Sequence, residues 1–226
     1  METADRKSEL IRRIAAALRG REGAIPPPSP ALREGGGGEA DRIARFREQF
    51  EAQGGRFLAG SAVEPLLPAL GEELRMAGVA ALFFPENDAG ARPVAESLVP
   101  FGPFTLVPPA AARELYAPSL AGVQSAEYAI AETGSIVQTS RGGKTLLPGL
   151  VSDVHVAILT PAVFVDRMDD CLAALSADPP RNISFLTGPS RTADIEQTTT
   201  IGAHGPRKMI AVLLTSPSPG EGRAIP

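Results

Sequence analysis

Apolar positions recur along the chain with two different spacings. Leu10, Ile11, Ile14, Ala17 and Leu18 follow Ser8 at intervals of three and four, which predicts a short helix over 8–19 with a Ser cap and a stop at Gly20. Ile43, Phe46 and Phe50 form a second stripe, on a helix that Asp41 is placed to cap and Gly54-Gly55 to end. Pro26 to Pro30 and Gly35 to Gly38 lie between the two, a stiff piece followed by a flexible one, so residues 20–39 read as a linker. Two short helices on a tether make almost no core. This arm, residues 1–55, is therefore expected to pack its second helix on the main body, with the first docking on another subunit or remaining mobile.

From residue 56 helix and strand patterns alternate. A helix pattern over Ser61–Met76 precedes the apolar run Val79–Phe84, which Pro85 bounds and which reads as a buried strand. Phe104–Val107, Val154–Leu159, Ile183–Leu186 and Met209–Leu214 read as further strands. Glu127–Ala131 and Ile136–Thr139 flank Thr133-Gly134, as two short strands or one strand broken at a turn. Pro161 opens a predicted helix to Leu175, with Val165, Met168, Leu172 and Leu175 on one face. The alternation predicts an α/β domain over 56–214, layered α/β/α on a mixed, largely parallel sheet. Residues 215–226 read as a flexible tail.

Composition narrows the classes. The 226 residues suit one domain with an appendage, and 43% apolar with 21% charged residues suit a chain that buries a core. The 23 Gly and 22 Pro fall at punctuation points without a G-X-Y period, which excludes collagen-like repeats. With 26 acidic against 22 basic residues and no Lys/Arg block, the chain is not built to neutralise a run of phosphates, and no nucleic-acid partner is expected. Cys171 is alone, so the chain cannot supply an internal disulfide, a four-thiolate zinc site or an iron–sulfur ligand set. Met1 to Arg13 lacks the apolar core of a signal peptide, and Val79–Phe84 is too short for a bilayer span; no membrane and a cytoplasmic location are expected.

Three polar stretches interrupt strand patterns: AETGS at 131–135, GPSRTADIE at 188–196 and GAHGPR at 202–207. In open α/β sheets such strand ends collect ligands. Together with TLLP before the DVHV strand at 145–156, and in this order, they resemble the LUD-domain family of lactate-utilisation protein C over roughly residues 56–214. The resemblance implies a fold similar to the CoA-transferase and ribose-5-phosphate-isomerase group. It also implies a subunit working beside two iron–sulfur proteins in L-lactate oxidation. Thr199 and Thr200 depart from the family pattern, and consecutive threonines favour extended backbone, so a helix after Ser190 is expected to be short.

Each polar residue also has its own chemistry. Glu132 ends an apolar strand; a carboxylate half out of a core acts as base or nucleophile, and otherwise it caps a turn through backbone N–H groups. Thr133 stands beside it in a supporting position. Gly188, Ser190, Arg191 and Thr192 would place N–H groups, hydroxyls and a guanidinium at a helix start, suited to an anion, although an ordinary cap needs only one of them. Asp194 and Glu196 would complement the dipole of that first turn. His204, between glycines, is a candidate proton carrier or a turn-stabilising residue, and Arg207 offers a fork to a carboxylate. His155, inside an apolar strand on the face of Ala157 and Leu159, reads first as a hydrogen-bonded core residue. The histidines match no local metal motif, Lys144 follows no complete phosphate loop, and no G-x-G-x-x-G follows a strand, so no cofactor is expected in this chain. The leading expectation is the non-iron–sulfur subunit of a cytoplasmic lactate-oxidising system, binding a small carboxylate or a partner at the 132/190/204 surface. The alternatives are an independent transferase or isomerase using Glu132, and a pure scaffold.

Overall fold

The computed structural model describes residues 12–13, 37–107, 120–193, 199–201 and 205–216, with only the backbone of 191–193 and 199–201. Arg12 and Arg13 are helical; the rest of the helix expected at 8–19, the linker to residue 36, Asp194, Glu196, His204 and most of the tail lie outside the described residues. The chain divides after Gly36, and Gly37–Pro226 forms one unit.

Helix α1 (Glu39–Ala52) carries the predicted stripe, with Phe46 and Phe50 fully buried. It begins two residues before the expected cap. Asp41 is the third helical residue and accepts from Gly38 N–H at 3.1 Å, reaching back to the start from inside the first turn. Arg42 and Arg45 bind Asp166 and fasten the outer side of the helix. The helix expected over Ser61–Met76 is divided. Pro65 opens a short 3-10 turn at Glu64–Leu66, and Pro68 opens α2 (Leu67–Met76), because each proline tolerates only the first turn of its own segment.

Six strands form a wholly parallel sheet: β1 (Arg56–Gly60), β2 (Ala81–Phe83), β3 (Thr105–Val107), β4 (Leu120–Ser125), β7 (Val154–Leu159) and β12 (Lys208–Leu214), in the order β1-β12-β7-β4-β2-β3. Side chains alternate across it. Val154, Val156 and Ile158 face α2 and α3 (Ala91–Leu98), whereas Ala157 and Leu159 face Phe46 and Phe50 of α1.

A second sheet shares that latter face with α1, where the α/β/α expectation placed helices alone. It comprises β5 (Tyr128–Ile130), β6 (Ser135–Thr139), β8 (Phe164–Val165) and β9 (Ile183–Leu186), in the order β8-β5-β6-β9. The 127–139 region thus resolves as a hairpin of two antiparallel strands. Gly134 turns it with φ +66°, and a Cβ there would stand 2.4 Å from the backbone nitrogen of Phe50. The far side of this sheet packs Ile130 and Val137 on Cys171 and Leu175 of α5 (Met168–Ser176).

Two expected helices are corrected. The Pro161–Leu175 pattern contains a 3-10 turn at Pro161–Val163 and strand β8 before α5 begins; Phe164 and Val165 pair with Ala129 and Ile130, a distant partner that outweighs local helical spacing. The described residues directly after Ser190 are extended, where a helix start was expected. Arg191–Ala193 (β10) pairs antiparallel with Thr199–Ile201 (β11), as β-branched threonines favour. Between β6 and β7 lies a five-residue helix, α4 (Leu147–Val151), seated so closely on β4 that a Cβ on Gly122 would fall 2.1 Å from the Pro148 carbonyl.

Candidate functional site

The 185–190 segment, Gly149 and Leu150 of α4, Gln53 after α1, and Gly205-Pro206 line a groove of about 410 Å³. Gln53, Leu150 and Pro206 shortly precede β1, β7 and β12, which are neighbours in the sheet. The groove therefore runs along the amino ends of three parallel strands, opposite to the carboxyl-end position usual in open α/β sheets.

Several of the expected site segments meet here. Gly188 packs on Gln53, with its Cβ position 2.8 Å from the Gln53 Cβ. Ser190 N–H donates to the Pro206 carbonyl at 2.8 Å, which joins the 188–190 loop to the segment entering β12. A chain of hydroxyls ties the same loop to the hairpin turn: Thr133 Oγ1 lies 2.7 Å from Ser135 Oγ, which lies 2.6 Å from Thr187 Oγ1. Arg207 follows the lining residue Pro206 in sequence but is not itself among the lining residues, and its guanidinium is engaged by Asp153 just before β7.

Other expected features differ. Arg191 and Thr192 belong to an extended ribbon, so no helix start gathers N–H groups at the loop, and anion binding there would rest on hydroxyls and individual backbone donors. Glu132 is exposed; alternation in the hairpin buries Ala131 and turns the next side chain outward. Its Oε2 accepts from Met168 N–H at 3.3 Å, so it caps the first turn of the remote helix α5 and not its own hairpin turn. Glu132 is not among the groove's lining residues.

His155 occupies the predicted face of β7 and is wholly buried, yet neither ring nitrogen has a hydrogen-bond partner among the described residues. Burial pushes its imidazole from 6.5 down to about 4, so it is neutral at ordinary pH. Its Nε2 is 3.5 Å from where a Cβ on Gly149 would stand, directly behind a residue that lines the groove. The lone thiol, Cys171, is buried, and that burial, with the charge of Glu127 second, pushes it up to about 11. One buried, protonated thiol does not fit an iron–sulfur cluster. Among the described residues, no three His, Cys, Asp or Glu side chains are grouped to hold a metal ion, and no helix is long and apolar enough to cross a membrane.

Sequence reasoning missed Gln53, Gly149, Leu150, Phe185 and Leu186 as groove residues. Only Gly149 carried a signal, a glycine set within the apolar TLLPGL run.

The chain resembles proteins of known family. Residues 105–214 match the LUD domain. Over 112 residues the chain is 37% identical to a Lactate utilization protein C of an Exiguobacterium strain, the match covering 47% of this chain and 49% of that one. Over 91 residues it is 36% identical to the Lactate utilization protein C of Halalkalibacterium halodurans, covering 38% and 40%. The chain thus spans half or less of the curated relatives it matches. Among solved structures it is similar to a DUF162-family protein from Deinococcus radiodurans, with a TM-score of 0.57, 18% identity and coverage of 79% of this chain and 99% of that one. At that identity the likeness speaks to the fold.

Proposed function

We propose that this chain, a distant homologue of Lactate utilization protein C with a LUD domain over residues 105–214, serves L-lactate utilisation as a component without an iron–sulfur cluster of its own, beside iron–sulfur subunits. One observation carries the reading: every residue that lines the groove, Gln53 excepted, falls inside the matched domain. The groove is the surface this role would use, for a small carboxylate. Thr187 and Ser190 offer hydroxyls there, and Arg207, which follows the lining residue Pro206 in sequence, carries a guanidinium suited to a planar anion. Kinship with the CoA-transferase and ribose-5-phosphate-isomerase group belongs to the same proposal, supported by the parallel sheet. A transferase using Glu132 gains no support from that residue's contact with the start of α5.

Deletion of this chain alone is the test. The expected result is loss of growth on L-lactate with growth on pyruvate retained, restored by the wild-type chain. Undiminished growth on L-lactate would overturn the role. Calorimetric titration of L-lactate into the full chain and into its assembly with the iron–sulfur proteins tests the groove separately; no binding to either would leave a scaffold role.

A further inference from the structure

Between the two sheets, beside α4, the protein buries four polar side chains almost completely: Gln124, Gln138, Ser152 and His155. Five of their atoms have no hydrogen-bond partner among the described residues, namely Gln124 Oε1, Gln138 Nε2, Ser152 Oγ and both ring nitrogens of His155. Gln124 Nε2 donates to the Thr145 carbonyl at 3.0 Å, which makes the remaining atom of that amide an acceptor. Native interiors carry few such atoms, because each is costly to bury unpaired. Five on neighbouring elements mark a surface shaped for something besides the packing of the chain itself.

The register draws Gln124, Ser152 and His155 together, and Gln138 lies on the side of the second sheet that faces them. Gly122 of β4 lies beside His155 of β7, and Gln124 shares the face of Gly122 two residues on. Ser152 Oγ is 2.5 Å from the Cβ position of Gly122. Gln138 shares its face of β6 with Ile136, which packs toward the six-stranded sheet. Gly149 joins this cluster to the groove. It lines the groove beside Leu186, and its Cβ position is 3.5 Å from His155 Nε2 and 2.8 Å from Leu186 Cδ1.

We propose that the groove continues inward past Gly149 and Leu186 into a polar chamber of Gln124, Gln138, Ser152 and His155, which takes the uncharged hydroxyl or keto end of a small 2-hydroxy or 2-keto acid. The carboxylate end stays at the Thr187–Ser190 loop, so this inference rests on the small-carboxylate reading of the groove. The chamber holds amides, a hydroxyl and an imidazole that burial keeps neutral. It offers both donors and acceptors, which a hydroxyl or keto oxygen can use, and no counter-charge for an ionised group. Glycine at 149 puts no side chain of its own between groove and imidazole, where only the flexible end of Leu186 stands close.

The chain contains two histidines, so nitrogen-15 spectra of labelled full-length protein resolve His155 once His204→Gln has assigned the other. The probes are L-lactate, pyruvate and uncharged lactamide. L-Lactate and lactamide are expected to shift the His155 ring signals saturably, and Gly149→Ala to weaken this about tenfold or more while leaving the unliganded spectrum intact. Leu186 can yield to that methyl, since the atom it meets is the end of a flexible side chain. L-Lactate bound by calorimetry with His155 unmoved would overturn the chamber and leave the groove standing. Lactamide moving His155 while L-lactate does not bind would keep the chamber and overturn the carboxylate reading. No movement with any of the three probes would overturn the chamber.

Discussion

Nε and Nη2 of Arg207 both donate to Oδ1 of Asp153, at 3.1 and 2.6 Å. The Arg207 guanidinium therefore already has a carboxylate, and an incoming one must compete for it. Because Arg207 is half exposed, the pair contributes little to stability, and Arg207→Ala is expected to cost at most about 1 kcal/mol in urea unfolding. Its effect on ligand is larger. Under the carboxylate reading, Arg207→Ala weakens L-lactate about ten- to a hundredfold, and Asp153→Asn, which frees the fork, tightens it. Equal affinity in wild type and both variants would remove Arg207 as the anchor.

Gly134→Ala places a methyl against the backbone of Phe50 and forces a left-handed conformation on alanine. Strain and overpacking together predict a loss of about 2–4 kcal/mol, read as a lower urea midpoint with an unchanged slope. A loss within error of zero would show that the hairpin turn and α1 do not touch in solution.

His155 gives the fold a pH dependence of known sign. Its folded value, about 4, is below its ordinary 6.5, so between those pH values the unfolded chain binds a proton that the folded chain refuses. Stability rises with pH across that window, and its loss between pH 7 and 4 amounts to about 3 kcal/mol. Glu73 acts lower: the hydrogen bond from Lys208, chiefly, holds its carboxyl below the ordinary value, and that stabilisation is lost as pH falls through the folded value. Urea unfolding of wild type and His155→Gln at pH 7 and pH 5 separates the two. The wild type should lose more; equal losses would mean that His155 is not a buried neutral imidazole.

Cys171 should be inert in the folded protein. With its thiol pushed up to about 11 and no exposed surface, an aromatic disulfide reagent at pH 8 is expected to label it only as fast as the chain unfolds. Prompt labelling without denaturant would show that α5 opens locally.

Four of the six main strands were legible as apolar runs with strong boundaries, such as Val79–Phe84 before Pro85 and the six-residue run from Val154, whereas β1 and β4, whose runs are short and contain glycine, were not read as strands. Strand β8 was not: Phe164-Val165 is two residues long, and its partner Ala129-Ile130 is remote in sequence. The helix expected after Ser190 yielded to a signal that was present, the threonines of β11. Burial of His155 follows from its place in an apolar strand. That its nitrogens lack partners depends on which elements cover the strand, and no local pattern encodes that. Gln138 stood in a strand the sequence showed, whereas Gln124 stands in β4, which it did not, and that both turn toward the space between the sheets follows only from how the sheets stack.

The order of the main sheet also sets a schedule for synthesis. Strand β1 is read out early, yet its neighbour in the sheet is β12, paired Arg56 to Ile210 at nearly the far end of the described chain. Until that last strand leaves the ribosome, β1 has an unmatched backbone and β7 is an open border. A nascent chain halted before residue 208 would expose two sticky edges to its neighbours on the polysome. Chaperone demand during translation should therefore peak just before the final strand emerges and vanish once it slides between the two.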